Sequence, residues 1–240
     1  MKNRPFFLLS SLSMVGALFA VIAMSLVNYK ADLKPPAGFA SPILALEFAQ
    51  TNATINALFD RTKSDTLVRY DPSDIYFKAQ FMDTSTNLDY LFILAYGSFM
   101  LFFALQCKRI GEKHYWLAIT FALLAAIADV MENGMLKEIF GLVADLKTDF
   151  SMYFSPLHFW TCLKFFSTGA YFLALAPFFW KSNWLGKLVV LSATVSIIFW
   201  TLASFWKPEY YADALFGMIF LAFLGAMIFG LTYKAKGGAD

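Results

Sequence analysis

Residues 115–133 read YWLAITFALLAAIADVMEN. That is close to the roughly 20 residues an α-helix needs to cross the hydrocarbon of a bilayer. No charge interrupts it from Tyr115 to Ala128, yet it closes with two carboxylates and an amide. In a helix, positions i, i+3 and i+4 share a face, so Asp129, Glu132 and Asn133 point the same way. An ionised carboxylate costs about 2.5–3.5 kcal/mol at the centre of a membrane helix, and less near its ends. A cluster of this kind turns toward partners inside a bundle rather than toward lipid.

The rest of the composition agrees. The 240 residues are 59% hydrophobic and 15% charged, with 28 phenylalanines and a mean hydropathy of +0.59. Soluble domains average about 45–50% apolar and 25% charged, so both shifts point to a membrane. A net charge of +2 gives no case for a nucleic-acid partner. Cys107 and Cys162 are too few for a disulfide framework or a thiolate metal site, and they are expected at opposite membrane faces. His114 and His158 are too few for a three-histidine centre. Neither metal nor cofactor is expected.

Six spans can be placed. The first, Phe6–Asn28, follows Met1-Lys2-Asn3-Arg4, which looks like the start of a signal peptide. Its apolar run exceeds the 7–15 or so residues of a signal core, and no Ala-x-Ala site follows, so a retained helix is expected. The others are Leu88–Cys107, Tyr115–Asn133, Leu157–Trp180, Lys187–Trp206 and Ala212–Tyr233. The expected fold is therefore all-α: a six-transmembrane-helix bundle. An even count places both termini on one side.

Charge selects the side. Lys2, Arg4, Lys108, Arg109, Lys113, Lys181, Lys187, Lys234 and Lys236 fall with the termini, opposed only by Glu112 and Asp240. On the other side Lys137 and Lys147 meet Glu138, Asp145 and Asp149, and Lys207 meets Glu209 and Asp213. The positive-inside rule gives cytoplasmic termini and places residues 29–87 outside.

The chain thus divides into a first membrane helix (1–28), an extracytoplasmic helical segment packed on the bundle (29–87), and a five-helix bundle (88–240). In the middle part, Lys34-Pro35-Pro36-Ala37-Gly38 is a linker and Ser41-Pro42 starts an amphipathic helix of about 41–60. Tyr70-Asp71-Pro72-Ser73 breaks the chain before a short helix at 73–82. Sixty residues scarcely hold a core alone, so this segment should lie on the bundle. Asn52-Ala53-Thr54 matches a glycosylation acceptor, a short pattern of little weight. At about 135–147, Leu136, Ile139, Phe140, Val143 and Leu146 line one face of an expected interfacial helix. Ser155-Pro156 is expected to cap the fourth span. Trp160, Trp180, Trp184, Trp200 and Trp206 fit interfacial belts. Small residues suggest packing seams, among them Gly16 and Ala20, Ala118 and Ala122, and Ala226 and Gly230.

This topology brings polar residues to one depth. Asp89 opens the second span, with Tyr96 two turns on along its face. Lys164 lies about 10 Å below the outer end of the fourth span, in a stripe with Thr161, Thr168 and Tyr171. A lysine that deep should be paired, with Asp129 or Glu132 as the obvious partner. Three carboxylates then meet one ammonium. One acid is protonated, or a cation or ligand amine completes the site, or Asp89 stays in water. A purely structural network locking three helices is an equal alternative. His158 is expected to be an interfacial hydrogen-bonding residue rather than a proton carrier. Glu47, the one acid in Leu46-Glu47-Phe48-Ala49, is expected to face water rather than cover the cluster.

Leu46-Glu47-Phe48-Ala49, Asp89-Tyr90-Leu91-Phe92-Ile93-Leu94-Ala95-Tyr96, Asp129-Val130-Met131-Glu132-Asn133 and Leu163-Lys164-Phe165 together resemble a group of uncharacterised bacterial multi-pass membrane proteins over roughly residues 40–175. The resemblance implies a bacterial inner membrane and a single unit formed by the acids and Lys164. It implies no activity.

Three function classes remain. The first is a binding, assembly or accessory-subunit protein whose polar cluster is architectural, with lipid or other membrane subunits as partners. The second is an intramembrane enzyme acting on a lipid or small amphiphile, with Asp129 or Glu132 as acid/base and Lys164 as its tuner. It lacks a nucleophile elbow or paired-histidine motif. The third is a proton-coupled transporter or sensor, and no inverted repeat supports it. A cavity reaching the acids and Lys164 favours the second or third; tight packing with every carboxylate paired favours the first.

Overall fold

A computed structural model describes residues 5–59, 61 and 71–233. The expectations that fell on Met1–Arg4, Tyr70, Lys234, Lys236 and Asp240 lie outside them. The described residues are helical and carry no strand: α1 (Pro5–Ala31), α2 (Pro42–Glu47), α3 (Asn52–Leu58), α4 (Pro72–Arg109), α5 (Tyr115–Ala144), α6 (Ser151–Ala174), α7 (Ala176–Trp180), α8 (Trp184–Phe205) and α9 (Pro208–Thr232).

Among the described residues, five helices are long and apolar enough to cross a membrane: α1, α4, α5, α8 and α9. Their outward faces are studded with exposed apolar side chains, including Leu12, Phe19, Leu94, Leu123 and Ile198. No aqueous surface favours such faces, and lipid does. The chain is a multi-pass membrane protein. Its 24-residue α6 is not among the five. The reason is chemical: α6 carries Lys164 and the polar stripe, which lower its apolar average.

At one end of the bundle the start of α1, the end of α4, α7 and the end of α9 converge on a knot of aromatic rings. Phe7 lies 4.9 Å from Phe103 and 5.4 Å from Tyr233, centroid to centroid, and Phe179 lies 5.3 Å from Phe229. The two described ends of the chain therefore meet. Ala118, Ala122, Ala226 and Gly230 are buried, so those small-residue seams pack within the chain.

The opposite end departs from the sequence reading in four places. The expected helix at 41–60 is two helices, because Thr51 adopts an extended conformation and its hydroxyl caps α3 by accepting the Thr54 N–H. The break expected before Leu88 is absent, so the short helix at 73–82 and the second span form one 38-residue α4, about 57 Å long at 1.5 Å per residue. The polar run at 83–87 stays helical because its side chains find local partners. Asn87 donates to Asp83 one turn back, and Lys137 of α5 bridges both. Likewise no separate interfacial helix exists at 135–147. Leu136, Ile139, Phe140 and Val143 extend α5 past Asn133 because they bury their shared face. Finally, α6 starts at Ser151, with Pro156 inside it rather than at its cap. The projecting parts of α4 and α5 form a second core with α2 and α3, through Leu46, Ile55, Phe59, Met82 and Phe140.

Candidate functional site

The site is assembled where α2 meets α4, α5 and α6. On α5, Asp129, Glu132 and Asn133 are buried while Val130 and Met131 between them are exposed, as the helical period requires. On α6, Thr161, Lys164, Thr168 and Tyr171 form one buried stripe.

Lys164 is the hub. Its Nζ lies 2.6 Å from Glu132 Oε1, 3.1 Å from Glu47 Oε1 and 3.4 Å from Asp129 Oδ1. The ammonium also sits 4.8 Å from the centre of the Phe165 ring, a further favourable contact for a cation. Around this centre the Tyr96 hydroxyl donates to Asp129 Oδ2 at 2.9 Å, and Asn133 Nδ2 donates to Asp89 Oδ2 at 2.7 Å. Asp89, Tyr96, Asp129, Glu132, Asn133 and Lys164 are thus brought together by three helices.

Glu47 was expected to face water and does not. It is 8% exposed, and α2 is laid against α6 by two contacts that turn the acid inward. The Thr161 hydroxyl donates to the Glu47 carbonyl at 3.1 Å, and the Phe48 ring stacks on Phe165 at 5.8 Å. Burial pushes the Glu47 carboxyl above the usual carboxylate range, and the Lys164 ammonium opposes that shift. The signal in the sequence was Glu47's isolation among apolar neighbours.

Of the remaining expected members, Tyr171 and His158 stand apart. Thr168 bonds the carbonyl of Lys164 on its own helix, and Tyr171 ties α6 to α4 through the Met100 carbonyl at 2.7 Å. His158 turns to Cys162, 3.5 Å from its sulfur, and Cys162 in turn donates to Ser204 of α8. Both cysteines are free thiols. Among the described residues no three His, Cys, Asp or Glu side chains are arranged to hold a metal ion.

Four carboxylates now face one ammonium, so three negative charges are in excess if all are ionised. The cluster is also not closed. A cavity of about 280 Å³ opens onto it, with Glu47, Asp89, Asp129, Asn133 and Lys164 at its polar end. Its other walls are largely apolar, with Val21 and Met24 from α1, Leu44 from α2, and Phe216, Ile219 and Phe223 from α9. Ser25 of α1 and Phe216 of α9, both exposed, also line it. The loop before α2 is pinned to α9: the Ala40 N–H donates to Asp213 at 2.8 Å.

No family model, curated protein or solved structure matches the chain. The site is therefore read from its own geometry.

Proposed function

We propose that this is a binding protein of a bacterial inner membrane that takes an amphiphile into the bundle between α1 and α9. The polar end of the ligand meets the Lys164 cluster, and its chain continues along apolar walls toward lipid. In this reading α6 is a sixth span, about 36 Å long at 1.5 Å per residue. The described ends of the chain face the cytoplasm and α2 and α3 lie outside. Lys108, Arg109, Lys113, Lys181 and Lys187 support that orientation, since they lie in the helix ends and connections on the side where α1 begins and α9 ends.

The observation that carries the reading is the cavity. A purely architectural network would be packed shut, because an empty space beside charged groups forfeits contacts and leaves acids without partners. At about 280 Å³ the space is roughly twice a cavity known to admit benzene, ~150 Å³. It suits a head group and the first few methylenes. Purification of the full chain in native-lipid discs, followed by mass spectrometry, is expected to yield a bound amphiphile in stoichiometric amount. Met24→Trp, which fills the apolar wall, is expected to abolish that species without unfolding the bundle. Recovery of the same species from the filled variant would end the proposal.

A second reading is an intramembrane enzyme. Glu47 favours it, because a carboxyl held above its ordinary range by burial suits a general acid. It requires turnover of the bound amphiphile that Glu47→Gln abolishes while binding persists.

A further inference from the structure

The charge and donor inventory at the polar end of the cavity narrows what the ligand can be. An ammonium has three N–H donors. Those of Lys164 face three carboxylates, at 2.6, 3.1 and 3.4 Å. The Tyr96 hydroxyl is given to Asp129, and Asn133 to Asp89. The positive charge of the site is therefore already engaged. What the cavity offers instead is acceptors. Glu47 is 8% exposed and lines the cavity, yet its Oε2 is buried without a hydrogen-bond partner. Asn28 of α1, in the same wall, has a buried Oδ1 in the same condition.

A phosphate or carboxylate head group would enter a space already holding an excess of carboxylates, and like charges in a poor dielectric repel strongly. A neutral hydroxyl would satisfy one acceptor but leave the charge excess untouched. A protonated amine does both: it donates to Glu47 Oε2 and cancels one unit of negative charge. From this we propose that the cavity binds a cationic amphiphile, a single-chain primary amine whose ammonium docks against Glu47. The inference rests on the amphiphile reading above and specifies its head group. The apolar walls of Met24, Ile219 and Phe223 hold the chain, and the open side between α1 and α9 lets it extend into the bilayer. Lys164 remains the internal counter-ion and does not touch the chain.

The test uses the full chain in phosphatidylcholine nanodiscs, with binding read by native mass spectrometry and by the shift in thermal midpoint. Four probes are compared at equal mole fraction: dodecylamine, dodecanol, dodecyl phosphate and butylamine. Dodecylamine is expected to bind about tenfold more tightly than dodecanol, and dodecyl phosphate to bind least. In Glu47→Gln the preference for the amine over the alcohol is expected to fall to near parity. Asn28→Ala, which leaves every ion pair of Lys164 in place, is expected to weaken dodecylamine severalfold and serves if Glu47→Gln does not fold. Equal binding of the three twelve-carbon probes, or a preference for the phosphate, overturns the amine proposal while amphiphile binding stands. Butylamine binding as tightly as dodecylamine keeps the amine and removes the amphiphile. Failure of every probe removes both. An amine preference unchanged in both variants overturns the docking on Glu47.

Discussion

Lys164 reaches Glu132 across the seam between α5 and α6 at 2.6 Å, with the two side chains only 11% and 1% exposed. A charge pair so placed is held by mutual neutralisation, and removing one partner strands the other. Lys164→Ala leaves Glu132, Asp129 and Glu47 without their shared cation and is expected to destabilise the bundle by about 3–5 kcal/mol. Adding Glu132→Gln to that variant should recover part of the loss. Chemical denaturation in detergent checks both, and a Lys164→Ala midpoint equal to wild type would show that the pair does not hold the seam.

Tyr96 supports the cluster from α4 by giving its hydroxyl to Asp129 at 2.9 Å. Tyr96→Phe keeps the ring and its contact with Phe223 and deletes only the donor. A hydrogen bond to a charged group contributes about 1.5–3 kcal/mol, so a loss in that range is expected. An undiminished unfolding free energy would mean that Asp129 does not depend on Tyr96.

How much of this was readable beforehand follows from where each signal lies. Asp129, Glu132 and Asn133 announce a shared face through spacing alone, and Lys164 announces a partner through its depth in an apolar run. Those signals are local. Glu47 was misread because its burial is decided by Thr161 and Phe165, more than a hundred residues further along the chain. The length of α4 was misread for a different reason: polar residues at 83–87 separate two stretches that read as distinct helices, and their partners include Lys137, some fifty residues further along the chain. The stretch 157–180 reads as a span from its length, yet the site's own Lys164 and hydroxyls leave α6 without a run as apolar as those of the five described helices long and apolar enough to cross a membrane. The cavity has no sequence signature, since it is a space left between six helices.

Gly186, near the start of α8, allows α7 to turn back closely. A Cβ there would meet the Phe179 backbone, 3.0 Å from its carbonyl carbon and 3.2 Å from its Cα. Phe179 cannot withdraw, because its ring is wedged against Phe103 and Phe229. Gly186→Ala is thus expected to cost about 1–3 kcal/mol, despite alanine's better helix propensity. A raised thermal midpoint would contradict the close approach.

Beyond the end of α5, Asp149 fastens the α5–α6 turn to α3. The Ser151 N–H and then the Asn52 amide hold its carboxyl below the usual aspartate range. Because the folded value is the lower one, the stabilisation is complete above the unfolded value of about 3.9 and is lost as pH falls through the folded value. Hydrogen exchange of the α3 amides, corrected for intrinsic rates, should be flat from neutral pH to about 5 and rise only below the ordinary aspartate range. Asn52→Ala should show faster α3 exchange at neutral pH. Protection that collapses near neutrality would place the controlling group elsewhere.

The chain order of the cluster bears on how the protein is made. The ribosome delivers Asp129 and Glu132 to the membrane more than thirty residues before Lys164 emerges. Until then α5 carries two acids with no counter-ion, so the translocon can release it to lipid only at a cost of several kcal/mol. With α6 as the proposed sixth span, the two helices leave the translocon together, as a hairpin whose second arm neutralises the first. A nascent chain truncated before residue 164 should stall beside the translocon rather than partition into the bilayer.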